Sequence, residues 1–530
     1  MADTQLSHNL HDTQSNTRVG ANVAAMLLVA VIVALVASMY PGNIGWLIDE
    51  PQLIQHALDA NASGTLATSG LRGSLGHTYG PLAVQFYQLL LRVTGDDLLT
   101  VVRIKAFTNV LVFSICCMWI ARRCGAPMVA GLIVVVAPGV WEMNRLLWDN
   151  PLLLPLSAVS VCAFDRLQQD RHNSTRVLRK LFWSTTLGVT WVLMILLHFM
   201  AVPLIAAMGA MLAHQIIARD QFRSNMRSLL VCVGGFVISL VVTYPLWIGY
   251  ARLMLIADVT NAVLQAGSPV EWPVTPRARW PESEMSPILP ALAPLLGLAP
   301  VTRGLPISFT IVLYTFVAVG VCRAFVMPVE SRARRLAILA GLTVFAQAVM
   351  FRVMLREWHP HYFHATLPVF AVFLFLAIAA IKISAARLVV VGVLVGLLSA
   401  ITASKQLDVH RSQITGDPGH VQGPTLGRSI GLSRQISSAG VRFIDTEFLS
   451  QALNPLTLIV PMRAAKFAYV PSETTLVGPV AKIGQTRPDQ IESNELKFAM
   501  MNADSSPVVF RIDLAASWEL NQQRKVVKIK

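Results

Sequence analysis

The sequence predicts an all-α, multi-pass membrane protein with interfacial helices on its outer face and a small mixed α/β soluble segment at the C-terminus. Three observations carry this. Of the 530 residues, 54% are hydrophobic and 14% charged, against roughly 45–50% and about 25% in a soluble globular chain. Mean hydropathy is +0.57. Apolar runs of spanning length recur from Val23 to Ile401, with Lys and Arg gathered in alternate connections. Water is not the main solvent of such a chain, which excludes intrinsic disorder, an ordinary cytosolic enzyme and a nucleic-acid binder. The net charge of +14 follows from the excess of basic residues in cytoplasmic loops.

A spanning helix needs about 20 mostly apolar residues, each rising about 1.5 Å. Residues 1–22 read as a cytoplasmic tail and Val23–Tyr40 as the first span. The small residues Val36-Ala37-Ser38 would also suit a signal peptide, but the acidic pair Asp49-Glu50 makes more sense if the helix is kept. A long first outer loop, 42–100, contains the apolar stretch Pro81–Val93. That stretch is too short to span and reads as an interfacial helix. Then follow Val101–Ala121, the weaker runs Met128–Pro138 and Pro151–Phe164, and Leu181–Leu197, Phe199–Ile217 and Leu229–Trp247. After a large outer loop, 249–306, come Ile307–Val326, Leu336–Phe351, Phe363–Ile381 and Leu388–Ile401, about eleven spans in all.

Charge sets the orientation. With the N-terminus inside, the short basic connections fall inside: Arg122-Arg123, Arg166 to Lys180, Arg219 to Arg227, Arg323 to Arg335, and Lys382 with Arg387. The longer, more thinly basic segments fall outside. One register satisfies every loop. The transmembrane domain is therefore 23–402. The polar segment 403–530, with short β-like runs such as Leu456–Val460 and Val508–Ile512, is a C-terminal domain on the outer side. All six cysteines lie in or beside apolar runs and read as small buried hydrophobes.

Ionisable residues collect at the outer ends of the spans, and the span centres are nearly free of them, which places a candidate site at the outer surface. Asp49-Glu50 follows the first span. A carboxylate there could act as general base on a hydroxyl, a role worth about 10²–10⁴ in rate. Asp49-Glu50-Pro51-Gln52 also has the spacing of a helix N-cap, and a carboxylate can serve both purposes. Asp149 is placed similarly in Asn144-Arg145-Leu-Leu-Trp-Asp149-Asn150-Pro151, where it could cap the next span or join Asp49, with Arg145 one turn before it.

The densest cationic cluster of the outer loops holds Arg352, Arg356, His359, His361 and Tyr362. It suits phosphate through the Arg forks or headgroup anchoring through Trp358 and Tyr362. His-x-His there leaves a divalent metal open, but no third ligand is specified and no metal site is assigned. His77-Thr78-Tyr79-Gly80-Pro81 leads into the interfacial helix; His198 reads as a turn residue, His56 and His364 as ordinary surface or core histidines. No phosphate-binding glycine loop and no Ser-His-Asp or Cys-His arrangement can be picked out.

As an ordered set, Asp49-Glu50, Tyr79-Gly80-Pro81, Asn144 to Pro151, and His361-Tyr362 leading to Pro368 resemble the membrane-embedded GT-C glycosyltransferases over roughly residues 20–400. The likeness is to the bacterial branch of protein O-mannosyltransferase-like and lipid A aminoarabinose transferase-like enzymes. The resemblance implies transfer of a sugar from a polyprenyl-phosphate donor to an acceptor hydroxyl of a lipid, glycan or protein. Asp49, with Glu50 and Asp149, would be catalytic. His77, Tyr79, Arg145, Arg352, Arg356, His359, His361 and Tyr362 would bind substrate, the cationic cluster steadying the departing phosphate. No cofactor is assigned, and a divalent metal stays possible, since relatives differ. Two departures stand out: Tyr79-Gly80 replaces the usual Lys and second Pro, and His361 replaces an Arg before the Tyr.

The alternatives are a secondary transporter or flippase, which would place charge near mid-membrane, and an outer-face polysaccharide polymerase or assembly partner, which would not need Asp49-Glu50. The expected location is the inner membrane of the cell, amid membrane lipids, with the site facing the periplasm or exterior.

Overall fold

The computed structural model describes residues 23–46, 49–71, 78–170, 177–217, 222–252, 299–303, 305–328, 331–354, 360–415 and 425–438. In the tail it describes 443–445, 456–465, 469–472, 480–486, 496–501, 507–515 and 526–529. All that follows concerns these residues. The predicted cytoplasmic tail 1–22, most of the loop 249–306, and His77, Arg356 and His359 lie outside them.

Helices build the body of the molecule. α1 (Val23–Ser38) leads into α2 (Asp49–Ala62), α3 (Leu82–Thr94) and α4 (Leu98–Arg123). α3 buries Val84, Tyr87 and Leu91 while leaving Leu89 exposed. Its 13 residues reach about 20 Å, too short to cross a bilayer, as expected. The chain then turns through left-handed Gly95 and Asp96, and the Asp97 carboxylate caps α4 by accepting the Leu99 N–H at 3.1 Å.

Beyond α4, a 3-10 turn at Met128–Gly131 and α5 (Leu132–Val135) meet α6 (Pro138–Arg145) at a 72° bend. Pro138 starts α6 and holds Ala137 extended. The Val136 carbonyl freed by the break accepts the Thr402 hydroxyl at 2.7 Å. α7 (Asn150–Asp170), α8 (Val177–Leu197), α9 (Val202–Ile217) and α10 (Phe222–Val242) follow. α11 (Tyr244–Arg252) is bent by 71° from the end of α10. α8 and α10 approach closely because Gly188 faces Ser239 and Gly235 faces Ser184; a Cβ at either glycine would collide.

α12 (Ile307–Val326), α13 (Arg332–Met354), α14 (Leu367–Ala380) and α15 (Ser384–Thr415) complete the bundle. Every residue of α14 from Leu367 to Ala379 is buried, as befits a helix that is apolar all round and ringed by others. Each predicted apolar run lies on helical backbone. Five helices are long and apolar enough to cross a membrane, seven if each bent pair counts as one span. That is fewer than the eleven expected, because breaks before Pro138 and at Thr243 divide two runs, because α1, α9 and α14 are short, and because α7 is not apolar enough over a spanning length.

α15 continues without a break through residue 402. Beyond it lie α16 (Leu426–Ser438), α17 (Leu456–Ala464) and a six-stranded sheet. Its strands are β1 (Phe443–Asp445), β2 (Tyr469–Ser472), β3 (Val480–Thr486), β4 (Leu496–Met501), β5 (Pro507–Ala515) and β6 (Val526–Ile529), in the order β2-β6-β1-β3-β5-β4. β1 and β3 run parallel and the other pairs antiparallel. The tail joins the body at Gly427, whose N–H donates to the Gly42 carbonyl at 3.0 Å, and through the Arg463–Asp59 ion pair at 2.6 Å.

Candidate active site

The site forms where the first long connection, the bend after α6 and the segment before α14 meet. Asp49 and Glu50 open α2, in its first turn. Adjacent helical residues point about 100° apart, and the two carboxylates diverge. Asp49 is part-exposed and lies within electrostatic reach of Asp149 and Tyr79. Glu50 is buried and lies near Tyr87 and Lys105.

Lys105 is fully buried in α4. Its ammonium donates to the carbonyls of Leu146 at 2.5 Å, Asn144 at 2.8 Å and Met143 at 3.5 Å. These are the acceptors left where α6 ends, so the lysine satisfies a helix C-terminus and fixes the chain that leads to Asp149. The Tyr87 hydroxyl donates to the Trp148 carbonyl at 3.0 Å, one residue before Asp149. The sequence reading passes over Lys105, although a lysine inside an apolar run is itself a signal.

Asp149 is buried, and its Oδ1 accepts the Asn150 N–H at 2.7 Å and the Asn150 side-chain amide at 3.2 Å. The carboxylate thus meets the start of α7. Burial first, and the Asp49 charge second, push the Asp149 carboxyl up to about 7. Desolvation alone raises Asp49 to about 6. Two carboxyls in mutual reach, both ionising near neutral pH, titrate as a pair.

Tyr79 stands beside them. Its N–H donates to the Leu71 carbonyl and its carbonyl accepts the Gly70 N–H, each at 2.9 Å. Gly80 then lies against the Leu196 backbone at the end of α8, where any Cβ would collide. This close approach sets the Tyr79 ring on His198, centroids 4.3 Å apart, with Tyr362 6.5 Å from His198 on another side. Desolvation, then Asp149, Tyr362 and Asp49, raise the Tyr79 phenol well above its ordinary range. Tyr79, Tyr362 and both aspartates therefore share one field. His198 is more than a turn residue: its Nδ1 accepts the Met200 N–H at 3.2 Å while its ring faces Tyr79.

Arg145 is directed elsewhere. Its guanidinium donates to the carbonyls of Met39 at 3.0 Å and Tyr40 at 2.7 Å, and to Gln406. It ties the end of α1 to α15. Arg352 lies on α13 and His361 in the 3-10 turn Pro360–Phe363; the structure describes their backbone only. His364, read from the sequence as ordinary, is buried with both ring nitrogens lacking a hydrogen-bond partner among the described residues. Burial, then Arg303, Lys105 and His198, lower it to about 3, so the imidazole is neutral. Among the described residues no three His, Cys, Asp or Glu gather as a metal-ligand set.

No family profile and no curated protein matches this chain. Solved structures do. ArnT from Cupriavidus metallidurans in the apo state is 13% identical, over 93% of this chain and 98% of that one, with a TM-score of 0.50. ArnT from the same organism bound to undecaprenyl phosphate is 13% identical, over 92% and 97%, with a TM-score of 0.50. At this identity the likeness shows the fold, the GT-C architecture of a multi-pass membrane protein.

Proposed function

We propose that the chain is a membrane glycosyltransferase that moves a sugar from a polyprenyl-phosphate donor to an acceptor hydroxyl, with Asp49 as general base. The observation that carries this is the Asp49–Asp149 pair beside Tyr79, Tyr362 and His198, at one end of an apolar bundle. The binding of undecaprenyl phosphate by a protein of the same fold supports the donor class.

In the step we propose, Asp49 takes the proton of the acceptor hydroxyl as its oxygen bonds to the anomeric carbon. The bond from that carbon to the phosphate oxygen breaks, and its electron pair leaves with the polyprenyl phosphate. A carboxyl near 6 is mostly ionised at pH 7 yet basic enough to accept the proton. Asp149, held toward its protonated form by burial and by the Asp49 charge, orients the acceptor. Tyr79, Tyr362 and neutral His364, with the cations Arg303, Arg352 and Arg356, hold the donor phosphate. Glu50 supports Asp49 from below, in partnership with Lys105. Arg145 acts through the end of α1, behind the site. The distribution of Lys and Arg supports a site on the periplasmic or exterior face of the inner membrane.

A transporter would claim Lys105 as its buried charge, but three carbonyls already occupy that ammonium. The test is a mass-spectrometric glycan profile of the cell envelope, comparing a deletion strain complemented by wild type or by Asp49→Asn at matched membrane levels. We expect a sugar to vanish on deletion and to return with wild type alone. Full restoration by Asp49→Asn would make Asp49 a helix-start residue and end the assignment.

A further inference from the structure

At the end of the bundle far from Asp49, α4, α7 and α13 bring arginines around one buried carboxylate. Asp165 of α7 is 3% exposed. Arg123 Nε lies 3.4 Å from its Oδ2, and Arg332 and Arg335 of α13 lie within electrostatic reach. Arg122 and Arg166 add to the same field around Arg123. Among the described residues, three arginines thus act on Asp165 and two more act on Arg123.

The acid side is already spent. Asp165 also accepts from the Gln169 amide, and Gln169 in turn accepts from Arg123 at 3.0 Å. The basic side is not. The Nε–H of Arg335 is buried without a hydrogen-bond acceptor among the described residues, and Arg122 and Arg332 are exposed. The Trp119 ring sits under the guanidinium carbons of both Arg123, at 4.5 Å, and Arg166, at 5.1 Å. An indole flanked by two arginines at a helix end marks the level of the headgroups.

We propose that Arg123, Arg332 and Arg335 form a binding site for the phosphodiester headgroup of an anionic glycerophospholipid. The missing partner is an anion with several acceptor oxygens, which the forked guanidiniums suit. Its location at the end of three apolar helices makes the anion one that arrives on acyl chains. The site stands apart from Asp49 and does not depend on the glycosyltransferase reading.

The test is the thermal unfolding midpoint of the full chain in a neutral detergent, titrated separately with phosphatidylglycerol, phosphatidylcholine and inorganic phosphate. We expect a saturable rise with phosphatidylglycerol alone, and about thirtyfold more of that lipid needed by the Arg332→Gln/Arg335→Gln variant. Should that variant not fold, Arg332→Gln alone, at an exposed position, should need about fivefold more. An equal rise with phosphatidylcholine or with inorganic phosphate would overturn the proposal. So would an unchanged lipid requirement in the variant that folds.

Discussion

At the Asp49 end of the bundle, two carboxyls are held toward their protonated forms and the buried cations Lys105 and Arg145 are occupied by backbone carbonyls. At the Asp165 end, one carboxylate is outnumbered by arginines whose donors outlast their acceptors. The same helices, α4 and α7, run between the two. Composition alone therefore does not make a site. Cations satisfied by carbonyls act as framework and leave the acids as the groups free to exchange protons; cations left over await an anion from elsewhere.

The sharpest way to break this comparison is Asp49→Asn. Transfer should fall by about 10²–10⁴ with the folded fraction unchanged, measured as product formed by matched membrane preparations. Asp149→Asn should also depress transfer, and the acid limb of the remaining rate should stay near pH 6, since desolvation and not the Asp149 charge sets Asp49.

Next in size is Lys105→Met. Removing the ammonium orphans three carbonyls and leaves Glu50 buried without its cation, a loss of about 3 kcal/mol or more. Adding Glu50→Gln should recover part of it. Denaturant unfolding of the single and double variants in detergent would read this, and equal stability of Lys105→Met and wild type would remove the framework role.

The pH dependence of stability sharpens the comparison further. Asp49 and Asp149 keep their protons to about 6 and about 7 in the folded chain, against 3.8 ordinarily. The folded state therefore binds more protons than the unfolded one between about pH 4 and pH 7, and stability should fall as pH rises through that window. Asp149→Asn should flatten the slope. Neutral His364 works in the other direction below about pH 6.5, so the comparison of wild type with Asp149→Asn carries the test, and equal slopes would mean that the Asp149 pKa is not raised. The smallest effect is expected at the other end: Arg332→Gln, exposed, should change stability in lipid-free detergent by about 1 kcal/mol or less.

Much of the fold was legible. The apolar runs all lie on helices, and Pro81–Val93 was read as too short to span because length and hydropathy are local properties. The bend before Pro138 was not foreseen, although Pro138 ends the run Met128–Pro138, because its stability rests on Thr402, far along the chain. The convergence of Asp49, Asp149, Tyr79 and Tyr362 could be proposed only as an ordered set, since no spacing encodes it. Lys105 went unremarked and His364 was read as ordinary for a related reason. Each looks like a stray polar residue until its neighbours in space, the α6 carbonyls for one and Arg303 and His198 for the other, are known. Arg145 shows the converse: its position beside Asp149 in sequence suggested substrate, and its guanidinium turns to Met39 and Tyr40 instead.

The contact between Gly42 and Gly427 bears on biosynthesis. Thr425 pairs with Gly45, and the N–H groups of Leu426 and Gly427 donate to Ile44 and Gly42, on the stretch that runs into Asp49. Arg463 then reaches Asp59 at 2.6 Å. The segment bearing Asp49 is made early and its fastener late, so the newly inserted chain carries an unlatched site until translation has passed residue 463. A ribosome stalled short of Thr425 would leave every apolar helix of the bundle synthesised and the Asp49 segment still unfastened.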